Sequence, residues 1–171
     1  MRVKHRTLLR VKELRVLLGE LEKYPSIIHQ TLKDPAGIKG TVERVLLADK
    51  TELYFVQGTL WLVVKSNLLF PGLPALLEGT VQLPQVVVDM GAVAHIINGA
   101  DVMAPGIFEL DRTLTEGMLA VVIDQKNLMP LAVGRMLMDA ATVLETRRGR
   151  AIETLHYIGD AVWNLVKELS E

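Results

Sequence analysis

Cysteine is absent from this chain of 171 residues, and aromatic residues make up only 5% of it. Without cysteine there is no disulfide, thiolate metal site or cysteine nucleophile, and an intracellular, cytoplasmic location is the natural expectation. Because aromatics are scarce, the core must be aliphatic, and a binding surface built from several base-stacking rings is excluded. No apolar run approaches the roughly 20 residues that span a bilayer, and the N-terminus does not resemble a secretory signal.

Charge is divided unevenly along the chain, although its net value is only −1. Residues 1–83 hold 12 Lys and Arg against 8 Asp and Glu, a net of +4, whereas residues 84–171 hold 7 against 12, a net of −5. The first fifteen residues carry six Lys and Arg against one acid. Four of these cations form a candidate anion-binding surface: Lys4, Arg6, Arg10 and Lys12. A solvated helix face and strand edge explains the same residues equally well.

The first half of the sequence predicts a small α+β domain. Residues 2–9 alternate weakly, as in an edge strand, and from Arg10 apolar residues recur at helical spacing until Pro25 stops the helix. Residues 41–65 predict three short strands, and a turn-rich segment then leads to a helical turn with Pro74 near its start. Turn residues and the change of charge place a domain boundary after residue 83.

The second half predicts a small, partly open β-barrel with peripheral helices, because strands outnumber helices and the helices occur singly between them. Asp89, Asp139 and Asp160 each precede a predicted helix and are expected to act as N-caps. Gly134 lies inside the second strand of a predicted hairpin, which indicates a bulge or the close approach of another backbone.

The segment Asn98–Ile107, which reads NGADVMAPGI, is the strongest candidate for a binding loop. It leaves a short helix through Gly99 and turns at Pro105-Gly106, and positive φ is expected at both glycines. Such a segment can present bare backbone amides and carbonyls to a ligand. The alternative is purely structural, with Gly99 as a helix C′ residue and Pro105-Gly106 as a simple turn.

Patterns for catalysis and metal binding are weak. The four histidines show no HxH or HExxH spacing, and the chain contains no P-loop, GxSxG or GxGxxG. Asp101 and Asp124 stand where an acid and a base could meet, so a small hydrolase is a minor alternative. The sequence therefore predicts a protein without enzymatic activity, metal or cofactor.

Three runs of sequence carry a resemblance: VVVDMGAVAHIINGADVMAPGI (residues 86–107), LAVGRMLM (131–138) and GRAIETLHYIGDAVW (149–163). They resemble a PUA domain, the RNA-binding module of pseudouridine synthases and archaeosine transglycosylases. Together with the basic N-terminal helix and the three strands before them, they resemble the archaeal relatives of the malignant T-cell-amplified family of translation-machinery proteins, which also resembles part of ligatin. The resemblance covers essentially the whole chain.

This resemblance implies a fold class that is α+β and mainly β, with a pre-PUA domain over residues 1–83 and a PUA pseudobarrel over residues 84–171. RNA is then expected against the glycine-rich loop, at Gly99, Ala100, Asp101, Ala104, Pro105 and Gly106. The cations expected to assist are Lys126, Arg135, Arg147, Arg148 and Arg150. Binding would depend mainly on shape and backbone contacts.

The resemblance further implies a non-enzymatic protein that binds rRNA or tRNA on the small ribosomal subunit, in initiation or recycling. A density-regulated-type partner protein is also implied, since animal members of the family pair with one. Two alternatives are open: an accessory protein that presents tRNA to a modification enzyme, and a protein-interaction module that does not contact RNA. The acidic second half favours the latter, because it weakens attraction to phosphates.

Overall fold

The computed structural model describes residues 1–29 and 42–170, and the chain divides into two compact units. The first comprises Met1–Gln82 with Leu165–Glu171, and the second comprises Leu83–Asn164. The last helix therefore contributes residues to both units. The predicted boundary after residue 83 concerns the independent folding of two domains, and it stays a prediction.

The first unit is built on a five-stranded antiparallel sheet. Its elements are β1 (Val3–Leu8), α1 (Val11–Leu21), β2 (Ile28–His29), β3 (Val42–Leu47), β4 (Glu52–Val56), β5 (Thr59–Lys65), β6 (Leu68–Pro71), α2 (Leu73–Leu77) and β7 (Val81–Gln82). Within the described residues the sheet order is β1-β3-β4-β5-β6, and β2 pairs separately with β7. The predicted edge strand, the helix that follows it and the three strands between residues 41 and 65 are confirmed.

Helix α1 begins where the sequence changes from alternating to helical spacing. The Glu13 carboxylate accepts the Arg10 backbone amide at 2.8 Å, which satisfies a donor at the helix start. Leu14, Leu17 and Leu21 share one face of the helix and are buried. Burial of each such side chain contributes about 1.5–3 kcal/mol, so this face holds the helix in the unit.

The second unit contains a six-stranded sheet. Its elements are β8 (Gln85–Val88), α3 (Met90–Ile96), β9 (Val102–Met103), a short 3-10 helix (Ala104–Gly106), β10 (Ile107–Leu110), β11 (Leu119–Asp124), β12 (Pro130–Met136), α4 (Ala140–Thr146), β13 (Arg150–Tyr157) and α5 (Ala161–Ser170), which begins in this unit. The sheet order is β10-β8-β11-β12-β13-β9, and only β8 and β11 run parallel. Val86, Val122 and Ile152, from three different strands, are fully buried in its core.

The outer strands of this sheet, β9 and β10, are separated in the chain by only the three residues Ala104–Gly106. The sheet must therefore curl until its edges nearly meet, which protects edges that would otherwise be open to pairing. Two hydrogen bonds hold this link. The Ala104 amide donates to the Gly149 carbonyl at 2.8 Å, and the Asp89 amide donates to the Gly106 carbonyl at 3.0 Å. This strand-rich, nearly closed architecture confirms the predicted fold class.

Gly134 lies where the pairing of β12 with β13 shifts register, between Val133 and Gly134. A Cβ at Gly134 would lie 2.2 Å from Cγ2 of Ile152 and 2.9 Å from the Glu153 carbonyl oxygen. The predicted bulge and the predicted close approach are both confirmed, because any side chain here would collide with β13.

Two of the three predicted N-caps are confirmed. The carboxylates of Asp89 and Asp160 each accept the backbone amide three residues further on, at 2.9 and 2.7 Å. The third prediction is wrong, because the Asp139 carboxylate makes no capping bond to α4. It accepts the Glu116 amide at 2.7 Å instead, and so ties the loop before β11 to the start of α4.

Candidate nucleic-acid interface

Gly99 ends helix α3 in the left-handed region, with a φ of +88°. Its amide donates to the Ile96 carbonyl at 2.9 Å, and the Ala100 amide donates to the His95 carbonyl at 3.0 Å. This is the hydrogen-bond pair of a Schellman motif, which satisfies carbonyls that the helix end leaves unpaired. A Cβ at Gly99 would also lie 2.8 Å from the Tyr157 hydroxyl oxygen. The predicted positive φ and helix-ending role of Gly99 are confirmed.

Pro105 and Gly106 belong to the 3-10 helix, and Gly106 does not have the predicted positive φ. Its carbonyl accepts the Asp89 amide, and an added Cβ would lie 3.2 Å from the Cβ of Ala92. The prediction of a left-handed conformation at Gly106 is therefore wrong. Glycine is favoured at position 106 because the chain passes close to the start of α3 and leaves little room for a side chain.

The predicted bare backbone amides are not found at three positions of the segment. The amides of Gly99, Ala100 and Ala104 all donate to carbonyls of the protein. The segment instead presents side chains to solvent: Met103 is 50% exposed, and Pro105 is also exposed. Contact of this segment with RNA stays a prediction, and it would depend on surface shape more than on unpaired amides.

Ala104 is 0% exposed, so its side chain cannot contact a ligand, which corrects the expectation that it faces RNA. Asp101 joins the segment to β13. One of its carboxylate oxygens accepts the Thr154 amide at 2.8 Å, and the other lies 3.0 Å from Nη1 of Arg150. The Ala100 carbonyl accepts the Thr154 hydroxyl at 2.9 Å. The start of the segment is therefore fixed against the sheet by both the backbone amide and the hydroxyl of Thr154.

The turn that joins α4 to β13 lies against the segment Asn98–Ile107. Arg147 ends α4 with a left-handed φ of +51°, and its Nη1 donates to the Ile107 carbonyl at 2.8 Å. The Gly149 carbonyl accepts the Ala104 amide. Residues 147–150, here called the basic turn, include three of the cations expected to assist RNA binding. The fold brings this basic turn against the predicted loop, although Arg147 and Ile107 are 40 residues apart in sequence.

The remaining arginines of the predicted site differ in whether their side chains are already paired with a carboxylate of the protein. Arg148 is exposed, and within the described residues its side chain has no hydrogen bond or ion pair. Arg150 pairs with Asp101, and Arg135 pairs with Glu153 at 2.5 Å across β12 and β13. Partly exposed pairs of this kind contribute about 0–1 kcal/mol to stability, so either arginine can exchange its carboxylate for a phosphate at small cost.

Lys126 lies in the turn between β11 and β12. The buried Asp124 shapes this turn, because its carboxylate accepts the amides of Lys126, Asn127 and Met129 at 2.6 to 3.1 Å. Among the described residues, no hydrogen bond or ion pair connects the Lys126 side chain with the segment Asn98–Ile107. The part of Lys126 in RNA binding therefore stays a prediction.

Of the four N-terminal cations, Arg6 is already paired. Its Nε and Nη2 donate to the two Glu43 carboxylate oxygens at 2.5 and 2.9 Å. This hydrogen bonding, followed by the charge attraction of Glu43, raises the pKa of Arg6 above its ordinary value. Lys4, Arg10 and Lys12 are exposed, and their side chains form no ion pair within the described residues.

Relatives of the chain are similar over almost its entire length. A family model described as the PUA domain matches residues 84–158. The uncharacterized protein MJ1432 of Methanocaldococcus jannaschii is 34% identical over 96% of this chain and 98% of its own length. Translation machinery-associated protein 20 of Saccharomyces cerevisiae is 28% identical, covering 90% and 88%. Malignant T-cell-amplified sequence 1-B of Xenopus laevis is also 28% identical, covering 85% and 82%. The chain belongs to the family of PUA-domain proteins that includes these relatives.

A solved structure agrees with this assignment. The crystal structure of a PUA domain from Aeropyrum pernix K1 has a TM-score of 0.82 and 25% identity, and covers 99% of this chain and 94% of that one. The resemblance seen in the sequence is confirmed, including its extension over the whole chain. The protein therefore carries a PUA domain, a module of an RNA-binding family, and has relatives named for the translation machinery.

The first unit also contains a cleft of about 460 Å³, which sequence reasoning missed. The cleft is lined by Leu9, Glu13, Val16, Leu17, Glu20, Tyr24, Arg44, Glu52, Tyr54, Val64, Asn67 and Leu69. Three carboxylates and one guanidinium thus border a mainly apolar floor. The Tyr54 hydroxyl donates to the Glu52 carboxylate, and burial together with this bond raises the pKa of Tyr54. Because the lining is scattered over α1 and four strands, no local sequence pattern reveals it.

The carboxylates and histidines that the structure describes lie in residues 1–29 and 42–170. No group of three or more His, Asp or Glu side chains in these ranges is placed to hold a metal ion. No helix in the same ranges is long and apolar enough to cross a membrane. Asp101 and Asp124, the carboxylates considered for hydrolysis, both accept backbone amides of the fold. Both carboxylates therefore stabilise the local backbone of the fold.

Replacing Ala104 with Glu should destabilise the second unit by about 3 kcal/mol or more, because a carboxylate would be buried at the barrel's closing link. Ala100→Glu is the matched control. It adds the same charge at an exposed position of the same segment and should change the free energy of unfolding by less than about 0.5 kcal/mol. Urea unfolding followed by circular dichroism compares the two variants with the parent. Equal stabilities for both would contradict the structural role of Ala104.

Proposed function

We propose that this protein binds rRNA or tRNA on the small ribosomal subunit, without catalysis, and acts in translation initiation or ribosome recycling in the cytoplasm. The observation that carries the proposal is the likeness to yeast translation machinery-associated protein 20, which covers 90% of this chain and 88% of that protein. A relative that shared only the PUA domain would support RNA binding alone. Because the match also includes the first unit, it supports the same role in translation for this chain and the yeast protein.

The second unit would meet RNA at the surface shared by the segment Asn98–Ile107 and the turn after α4. Pro105 and Arg148 are exposed there, and Arg147 is fixed beside them by its bond to the Ile107 carbonyl. Few cations are present, and residues 84–171 are net acidic. These features favour a small interface that recognises RNA shape over one that attracts phosphates at long range.

The first unit would supply the electrostatic part of the affinity. Residues 1–83 are net basic, and Lys4, Arg10 and Lys12 are exposed without an ion pair among the described residues. Under this proposal the chain works as two domains. The pre-PUA domain, residues 1–83, attracts the ribosomal RNA, and the PUA domain, residues 84–171, positions a specific RNA element.

Reversing Arg10 and Lys12 to Glu should weaken binding to purified small ribosomal subunits. The slope of log affinity against log salt should fall by up to about two units, because each lost phosphate contact removes roughly one. Acidic residues at the start of α1 interact favourably with the helix dipole, so the fold should persist. Sedimentation with subunits at several salt concentrations measures both quantities.

Lys50→Glu combined with Lys65→Glu is the matched control for this experiment. It makes the same change of charge in the same unit, in the turn after β3 and at the end of β5. The control should keep most of the affinity. An unchanged salt slope in the Arg10 and Lys12 variant, or an equal loss in the control, would argue against a specific contact.

The cleft of the first unit favours a second function, the docking of a partner protein. Its three carboxylates outnumber its one guanidinium, although residues 1–83 are net basic. An acidic cleft with an apolar floor suits a basic protein segment that carries an apolar side chain. A density-regulated-type partner, or an RNA-modification enzyme that receives tRNA, would dock here.

Val16→Arg should reduce such docking, because it adds a cation to the cleft lining at a side chain that is already 63% exposed. Stability and subunit binding should not change. Val11→Arg is the control on the same helix, since Val11 is exposed but does not line the cleft. Quantitative pull-down from native cell extract compares the parent with both variants. Loss of the partner in both variants, or in neither, would contradict docking in the cleft.

A further inference from the structure

Phe108 is a large aromatic side chain that is 57% exposed. It lies in a β-bulge, because Ile107 pairs with Val88 and Glu109 pairs with the next residue of β8, Val87. With this extra residue in β10, Phe108 and Glu109 are exposed in succession, whereas a regular strand would turn one of them inward. Bulges re-aim side chains, and they are over-represented beside functional sites.

The bulge places Phe108 next to a fixed guanidinium. Nη1 of Arg147 donates to the Ile107 carbonyl at 2.8 Å, and the peptide group of that carbonyl leads directly into Phe108. No second hydrogen bond or ion pair of the Arg147 side chain occurs among the described residues, so its other N–H donors are available. Arg148, the next residue, is exposed and equally without an ion pair there. The Arg147 guanidinium is therefore fixed at the peptide group that precedes Phe108, and Arg148 follows it in the turn between α4 and β13.

Charge alone cannot supply much affinity for RNA at this site. Residues 84–171 are net acidic, and the exposed Glu109 directly follows Phe108 in the chain, so the long-range attraction of phosphates is weak. Stacking of a base on an aromatic ring is independent of salt and available to every base, because each base has a π surface. A duplex keeps its bases stacked on one another, so only an unpaired nucleotide can use an exposed ring.

We propose that Phe108 is a stacking platform for an unpaired RNA base, with Arg147 and Arg148 binding the phosphates beside that base. This inference rests on the proposed RNA binding and adds the residue that selects an unpaired base. Phe108 thereby favours a nucleotide outside a continuous duplex.

Fluorescence anisotropy tests the platform with a labelled single-stranded RNA of mixed sequence, about 12 nucleotides long, within the footprint of one small binding domain. The same strand annealed to its complement should bind more weakly. Phe108→Ala should lower affinity for the single strand about 5- to 100-fold at an unchanged salt slope, since no charge is lost. Phe108→Tyr should retain the affinity. Leu128→Ala removes a similarly exposed side chain from the turn between β11 and β12 and should have no effect.

Phe108→Trp provides a direct readout of stacking. The parent already contains Trp61 and Trp163, so the emission of the added indole is the difference between the variant and the parent. Binding of the single strand should quench this additional emission. Arg148→Gln should reduce the salt slope by up to about 0.7 units, the value for one phosphate of a single strand. Unchanged affinity of Phe108→Ala, or equal affinity of the parent for single strand and duplex, would overturn the platform.

Binding to purified small ribosomal subunits separates this inference from the proposed function. If the parent and Phe108→Ala bind both subunits and oligonucleotide equally well, the platform fails and the proposed function is retained. If the parent binds neither subunits nor RNA, both fail. If Phe108→Ala loses subunit binding but RNA leaves the emission of Phe108→Trp unchanged, the ring packs against a protein, and the platform is again overturned.

Discussion

One constraint determines the fold of the second unit: three residues, Ala104–Gly106, join the two outer strands of a six-stranded sheet. A link this short forces the sheet to curl into a nearly closed barrel. The constraint also fixes what the link can contain. Ala104 is fully buried, and Gly106 passes so close to the start of α3 that its carbonyl accepts the Asp89 amide.

The same link explains why residues from distant parts of the sequence share one surface. Met103, the last residue before it, pairs with Arg150, and Ile107, the first residue after it, accepts the Arg147 guanidinium. These contacts hold the basic turn against the loop by hydrogen bonds to backbone groups. A surface fixed in this way loses little conformational entropy on binding, which suits the proposed recognition of RNA by a domain with few cations.

Sequence predicted the features that neighbouring residues determine. Asp89 caps the helix that directly follows it, and Gly134 marks a bulge because glycine is otherwise unfavourable in an apolar strand. Features set by long-range pairing were missed. Asp139 bonds an amide 23 residues away, and the burial of Ala104 follows from barrel closure. In the candidate site, the basic turn was visible as a cluster of charge, whereas the bulge that exposes Phe108 depends on the register of β10 against β8.

Site-specific photo-crosslinking tests most directly whether the link between β9 and β10 faces RNA. Benzoylphenylalanine would replace the exposed Pro105 in one variant and the exposed Thr115, in the loop before β11, in another. Each variant would be irradiated on purified small ribosomal subunits with tRNA. Crosslinks to RNA from position 105 and none from position 115 are the predicted result. Crosslinks from position 105 to protein alone, or equal RNA crosslinks from both positions, would contradict a role for this link in RNA recognition.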